Sequence, residues 1–375
     1  MDGGGFNLSN INHGTIFNAL ENWAPKRLAY EWDNVGLQIG STLTKTTKVM
    51  ITLDVLESVV DEAIENDVNL LIAHHPLLFK SIKNIDVHSI KGKVIEKLIK
   101  HDITVYAAHT NLDIAKNGVN DLLCEALEIK ATKHLLDVYK EKLFKLIVFV
   151  PKTHSDQVRE ALGNAGAGHI GNYSHCTFQS KGQGTFMPQE GTNPFIGRTK
   201  ELEMVDEVKM ETVVQENNVA KVLSAMKKAH PYEEVAYDLF PLECAGETFG
   251  LGRIGSLQET ITLQAFSEKV KQTFHIDCLR IVGDLTKQLK KVAVVGGSGE
   301  KFLHQAKKMG ADVYITGDMT FHHAQEALEM GLAIIDPGHY IEEIMKKATK
   351  LYLTNQFANL PVIVSNTNTN PFQFI

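Results

Sequence analysis

Cysteine is scarce and scattered: four in 375 residues, at positions 124, 176, 244 and 278, with no C-x-x-C pair. This argues against a disulfide framework and against a thiolate zinc knuckle, and it fits a reducing cytoplasm. A basic excess is also missing, since 38 Lys and Arg face 45 Asp and Glu for a formal net charge of −7. General nucleic-acid binding needs clustered Lys and Arg, so small molecules are the better default partners. No uncharged run is long enough to cross a bilayer, and Met1-Asp2-Gly3-Gly4-Gly5 lacks a basic segment followed by an apolar one. Both observations argue against secretion and membrane insertion. What the chain does have is apolar mass, 43% of residues. That is enough for a real core, and the length suggests two or three domains.

Lys48 to Asp54 has a short apolar strand pattern, followed by Leu56, Val59, Val60, Ala63 and Ile64 at helical spacing and by a second strand from Asn69 to His75. After a loop through Lys80 to Lys91, one helical face (Val94, Ile95, Leu98, Ile99) leads to the strand Ile103 to Ala108, ending in His109. Uninterrupted apolar strands alternating with helices predict an α/β fold with a parallel sheet covered on both faces. The C-terminal third repeats the plan, with strands at Lys291 to Val295, Asp312 to Thr316 and Leu332 to Ile335 and helices at Glu300 to Met309 and Phe321 to Met330. Lys48 precedes Asn69 by 21 residues and Lys291 precedes Asp312 by the same 21, so Gly317-Asp318 falls where His74-His75 stands. Strand Ile103 to His109 matches Leu332 to His339 with one inserted residue. The register suggests an internal duplication whose two halves present ligand groups at equivalent strand ends.

Between the halves the pattern changes. A strand (Phe144 to Val150), a helix (Ser155 to Ala165), short strands at His175 to Ser180 and Gly184 to Met187, the alternating stretch Leu202 to Val214, a helix (Val219 to Ala229) and a strand (Val235 to Phe240) follow in order. The loop Gln189 to Thr199 is rich in Gly, Pro, Asn and Thr. This β-α-β-β-α-β order predicts an inserted α+β, ferredoxin-like domain. The expected organisation is therefore residues 1–130 and 246–375 as two halves of one α/β metal-binding core, with 131–245 inserted. The chain re-enters the core through Gly250 to Gly255, where glycines suit a tight crossing.

His74-His75-Pro76 ends the apolar run Leu70 to Ala73. Adjacent strand residues point to opposite faces, but the proline takes the chain out of the sheet, so both rings can reach a cleft above the strand ends. Neutral imidazole is the commonest metal ligand. His109 and Asp113 follow the neighbouring strand and add an imidazole and a carboxylate at the same edge. N-capping is the structural alternative for Asp113, although Asn117 and Asn120 are available for that task. In the other half His339 and Glu343 stand four apart, the spacing that shares one α-helical face, which would turn Glu342 away. Together His74, His75, Asp113, His339 and Glu343 exceed the needs of one tetrahedral zinc. A pair of divalent ions is the expected cofactor, zinc first with iron, manganese, nickel or cobalt as alternatives, and Glu343 is the expected bridge. Asp318 and His322 share an i, i+4 spacing suited to orienting substrate or moving protons, and His109 is a further candidate proton donor or supporting partner. Gly296-Gly297-Ser298-Gly299 follows a strand but lacks the spacing of a phosphate-binding loop. His230-Pro231-Tyr232-Glu233-Glu234 reads as a turn.

Several of these motifs together resemble the NIF-three-like family, often labelled GTP cyclohydrolase 1 type 2 homologs. They are Trp32-Asp33-Asn34-Val35-Gly36-Leu37, Ala73 to Pro76, Ala108 to Asp113, Gly252 to Gly255, Val295 to Gly299, Thr316-Gly317-Asp318, and Gly338-His339 followed by Glu343. The resemblance implies two related α/β halves with a dinuclear metal centre between them, held by His74, His75, Asp113, His339 and Glu343. It also implies a longer bacterial subgroup whose insertion is similar to trimeric sensor proteins, and a toroidal homohexamer. The expected function is a metal-dependent hydrolase acting on a nucleotide-like or phosphorylated small molecule. The alternative is a metal-bearing regulatory or scaffold oligomer that binds a small effector or protein partner without turnover.

Overall fold

Short stretches of aliphatic and β-branched residues form the strands that position the site. The computed structural model describes residues 11–375; Met1 to Gly5, expected to lack a leader, lie outside them. The first sheet has the spatial order Gly36–Ile39, Thr104–Ala107, Leu70–Ala73, Val49–Thr52, Val362–Val364. Its strands run parallel except Gly36–Ile39, which pairs antiparallel with Thr104–Ala107. Alternation assigns the faces. Met50, Leu71 and Val105 pack against Val59, Val60, Val94 and Leu98 of helices Glu57–Glu65 and Ile90–Lys100. Ile51, Ile72 and Tyr106 face the other way, into a core shared with Ile16, Phe17 and Leu20 of helix His13–Trp23. Both faces of this sheet are covered, as a parallel sheet requires.

The C-terminal part repeats the order of elements. Helix His13–Trp23, edge strand Gly36–Ile39 and the parallel strands Val49–Thr52, Leu70–Ala73 and Thr104–Ala107 have counterparts in helix Leu263–Phe274, edge strand Arg280–Val282 and the strands Gln288–Ser298, Val313–Gly317 and Ala333–Asp336. In each half the edge strand lies antiparallel to the last of the three parallel strands. The leading helix and edge strand of each half and strand Val362–Val364 lie outside the elements outlined from the sequence, and the α-helix expected from His339 onward begins at Ile344 and runs to Gln356.

The chain divides into two compact units, one holding residues up to Tyr139 together with Phe249–Ile375, the other Lys140–Thr248. The expected borders fall inside two long strands, Lys130–Pro151 and Tyr237–Thr262. In the second unit the elements follow in the order β-α-β-β-α-β. The two short strands expected around Gly182 form one continuous strand, Thr177–Phe186, paired along its length with Glu203–Gln215. Glycines weaken an edge strand without ending it when every residue has a ladder partner. Among the described residues no helix is long and apolar enough to cross a membrane.

The C-terminal segment is strapped to helix Glu57–Glu65 by one carboxylate. Glu62 accepts hydrogen bonds from the Ser365 hydroxyl (2.6 Å), the Asn366 amide (2.7 Å) and the Thr367 hydroxyl (2.7 Å). Burial works against its charge, but these donors outweigh it and hold the carboxyl below its ordinary value. A depressed carboxylate stabilises the fold above its unfolded pKa, and that contribution is lost as pH falls through the folded one. We therefore expect Glu62→Gln to cost about 1–2 kcal/mol in denaturant unfolding at neutral pH, with the difference shrinking below about pH 4.

Candidate metal centre

The carboxyl ends of the parallel strands in both halves converge on one cluster, the place where α/β sheets carry their ligands. His74 and His75 follow Leu70–Ala73, and Pro76 marks the exit from the sheet. The His74 ring is fully buried and donates from Nδ1 to the Ala108 carbonyl (2.7 Å). His75 Nδ1 lies 2.6 Å from Asp54 Oδ1, His339 Nδ1 lies 2.7 Å from Asp318 Oδ2, and His109 Nδ1 lies 2.9 Å from Asp33 Oδ1. Each ring is thus oriented through Nδ1 by an oxygen, the arrangement that fixes a ligand histidine's tautomer and frees Nε2.

The freed nitrogens of His74, His75 and His339 surround one oxygen. Glu342 Oε2 is 3.6 Å from His74 Nε2, 3.2 Å from His75 Nε2 and 3.1 Å from His339 Nε2. Asp113 Oδ1 lies 3.5 Å from His74 Nε2. The second carboxylate is therefore Glu342, not Glu343. The local backbone explains the difference. His339–Glu343 is a 3₁₀ turn, in which residues three apart share a face, so the four-residue spacing of an α-helix does not apply. Glu343 instead pairs with Lys346 at 2.9 Å on the outside.

Glycine makes room for this carboxylate. A Cβ on Gly296 would lie 3.0 Å from Glu342 Oε1, and one on Gly297 would lie 2.8 Å from it and 3.1 Å from His339 Nε2. Gly297 also has a φ of +61°, open to glycine at no cost. The glycine run thus admits a buried acid. Asn120 ties the halves beside it, donating to the Asp113 carbonyl (2.9 Å) and accepting from the Gly296 amide (2.9 Å).

The electrostatics are those of groups sharing protons. Burial alone would keep His75 and His339 neutral, but Asp54, Asp318 and Glu342 overcome it and push them up to about 9 and about 10. Burial dominates at His74 and lowers its value, and at Asp113, where Glu342's charge adds to it, raises the carboxyl well above its usual range. Glu342 goes the other way: burial opposes its charge, yet the bonds from His339 and His75, with the His74 ring beside them, hold it well below. Among the described residues, two buried atoms of the cluster, His74 Nε2 and Asp113 Oδ1, have no hydrogen-bond partner. Unsatisfied buried polar atoms cost about 1–3 kcal/mol each, and here both aim into a cluster of metal-ligating types. Among the described residues, three overlapping groups could hold an ion: His74, His75 and His109; His75, His339 and Glu342; and His74, Asp113 and Glu342.

A model of the Duf34/NIF3 (NGG1p interacting factor 3) family matches residues 11–371. The chain belongs to that family. It is similar to the proteins called GTP cyclohydrolase 1 type 2 homolog from Halalkalibacterium halodurans and Bacillus subtilis, each 52% identical over 97% of this chain and 99% of the relative. The crystal structure of a Bacillus cereus protein related to NIF3 has a TM-score of 0.91 at 51% identity, covering 97% of this chain and 99% of that one.

Other residues singled out from the sequence of this Duf34/NIF3 protein divide clearly. His109 joins the cluster, its ring 5.3 Å from that of His74 and 5.7 Å from that of His75. Asp318 supports His339 from behind. His322 stands apart, exposed and beside Gln325. Its expected pairing with Asp318 fails because helix Phe321–Glu329 begins three residues later, and Asp318 occupies a turn with φ +56°. Asp54 and Asp33, which orient two of the histidines, were not identified as site residues by their spacing, although each ends or precedes an apolar strand. Metal analysis of purified variants separates the two glutamates: Glu342→Ala should lose bound metal and Glu343→Ala should keep it, and the reverse result would refute the assignment.

Proposed function

We propose that the protein is a dinuclear metal-dependent hydrolase of a nucleotide-like or phosphorylated small molecule. The observation that carries this reading is the pair of orphaned, buried atoms, His74 Nε2 and Asp113 Oδ1, beside a carboxylate placed among three imidazoles. His74, His75, His339, Asp113 and Glu342 would hold two divalent ions, zinc first, with Glu342 positioned for the bridging role. Divalent ions bound there supply Lewis acidity and make water nucleophilic at neutral pH.

The chain's own groups supply the rest. A cleft of about 440 Å³ opens over the cluster, walled by Trp32, Phe79 and Phe302. Trp32 and Phe79 lie 5.8 Å apart, and faces of this kind suit a planar ring. Lys301, held over the rings of Tyr30 (5.5 Å) and Phe302 (5.0 Å), puts a cation on the same cleft, suited to a phosphate or another anion. His109, oriented by Asp33, lines the cleft with its Nε2 available to give or take a proton at the substrate. The GTP cyclohydrolase name of the relatives is compatible with these walls, but no side chain in the cleft singles out guanine. Assembly into a homohexamer and a cytoplasmic location complete the reading, supported by family resemblance and by the cysteine pattern.

Two measurements test it. His75 and His339 carry protons up to about 9 and about 10 without metal, so metal uptake should release protons, and affinity should rise from about pH 6 to about pH 8. Calorimetry in buffers of different ionisation enthalpy reads this directly; uptake with no proton release would contradict it. Screening the metal-loaded protein against nucleotides, phosphate esters and cyclic amides should find turnover that His109→Asn lowers by about 10²–10⁴ with metal retained. Binding without turnover across the panel would favour the regulatory or scaffold alternative.

A further inference from the structure

A second cavity lies within the unit Lys140–Thr248. Both helices of that unit, Ser155–Asn164 and Val219–Ala229, pack on one face of its sheet, where Val158, Leu162, Val222 and Met226 meet Leu146, Val148, Val150, Met210 and Val214. Alternation sends Phe149 and Glu207 to the opposite face. There the loop after strand Thr177–Phe186, the Gly- and Pro-rich stretch of the sequence, overhangs the strands and borders a half-open pocket of about 660 Å³.

The lining combines aromatic walls with one buried acid. Tyr232 contacts Phe186 and Phe195, with ring centroids 5.5 and 6.5 Å away. Glu207 is 9% exposed, and among the described residues the donor to its carboxylate is the Tyr232 hydroxyl, 3.1 Å from Oε1. Gly182 is its partner across the ladder, and a Cβ on Gly184, two residues along the same face, would collide with Glu207 Oε2. The carboxylate therefore occupies space that a missing side chain leaves open. Two lysines also line the cavity, but neither is bonded to this carboxylate: Lys209 is bonded to Glu211 at 2.7 Å, and Lys181 is paired in register with Val208. Glu233 and Glu234 add further negative charge at the rim.

A largely buried carboxylate with one neutral donor is costly unless a positive charge meets it. Aromatic faces around it favour the same kind of guest, since their quadrupoles attract cations. We propose that this cavity binds a small organic cation, an ammonium or guanidinium group on an apolar or aromatic body, with Glu207 as its counter-ion. The size suits a drug-sized ligand held mainly by apolar contact and oriented by a few polar groups.

Tryptamine and indole-3-acetate share one ring system and carry opposite charges, which makes them suitable probes. Calorimetric titration of the full-length protein should show saturable tryptamine binding at millimolar concentrations or below, preferred over indole-3-acetate by at least about tenfold. Glu207→Gln should abolish that preference, whereas Glu342→Ala should preserve it, separating this cavity from the metal centre. Should Glu207→Gln fail to fold, Phe195→Ala on the covering loop should weaken tryptamine binding instead. Absence of tryptamine binding, equal affinity for the two probes, or a preference that survives in Glu207→Gln or disappears in Glu342→Ala would overturn the proposal.

Discussion

A carboxylate taken out of water must be met by positive charge or by donors, and Glu342 is met by three imidazoles. Much of the local structure follows from that requirement. The 3₁₀ turn His339–Glu343 brings the acid to the histidine's face, and Gly296 and Gly297 leave out the side chains that would exclude it. Asp54, Asp318 and the Ala108 carbonyl then hold the rings from behind, so that their outer nitrogens converge instead of turning to solvent. Without such supports, freely rotating rings would lose the common geometry. Neighbouring Asp113 is buried, and that burial, with Glu342's charge added to it, drives its carboxyl in the opposite direction.

The duplication is written in hydrogen bonds as well as in element order. Lys48 Nζ donates to the Asn66 carbonyl and Lys291 Nζ to the Met309 carbonyl, each at 2.6 Å and each 18 residues along the chain. The side chains of Asn69 and Asp312, 21 residues on, accept from the amides of Lys48 and Lys291. These are equivalent ties between the start of one strand, the end of the following helix and the start of the next strand. A geometry repeated at this level places the third strands in equivalent positions, and with them the short helical turns that follow. Counted without a gap from Thr104 and Ala333, Asp113 corresponds to Glu342.

That correspondence also shows what was legible in the sequence. Uninterrupted apolar strands revealed the parallel sheets, because burial on both faces leaves no alternation to confuse with helix. His74, His75 and His339 were legible because imidazoles at strand ends are costly without a purpose. Glu342 was not, for two connected reasons: Leu332 to His339 is one residue longer than Ile103 to His109, which sets the matching acid one position late, and the backbone takes a 3₁₀ turn where the His339 and Glu343 spacing is α-helical. Asp33 and Asp54 were illegible for a different reason. A supporting carboxylate is chosen by its distance to a ring in three dimensions, and neither has a sequence spacing to His109 or His75 that local periodicity could disclose. Edge strands such as Arg280–Val282 are too short to display a period at all.

Equivalent positions have diverged in ways that make the halves complementary. His75 is oriented by Asp54 from its own half, and His339 is oriented by Asp318, which occupies the position matching His75. The position matching His74 is Gly317, where a Cβ would come within 2.8 Å of the His339 amide nitrogen and the Gly338 carbonyl carbon. A histidine at that point would displace the backbone that carries His339. One half therefore contributes paired histidines from its second parallel strand, and the other keeps that strand end small so its third strand can deliver a histidine and a glutamate. Two identical halves would crowd the centre with imidazoles. The asymmetry gives three imidazoles and two carboxylates around a shared space, a donor set that neither half could assemble alone.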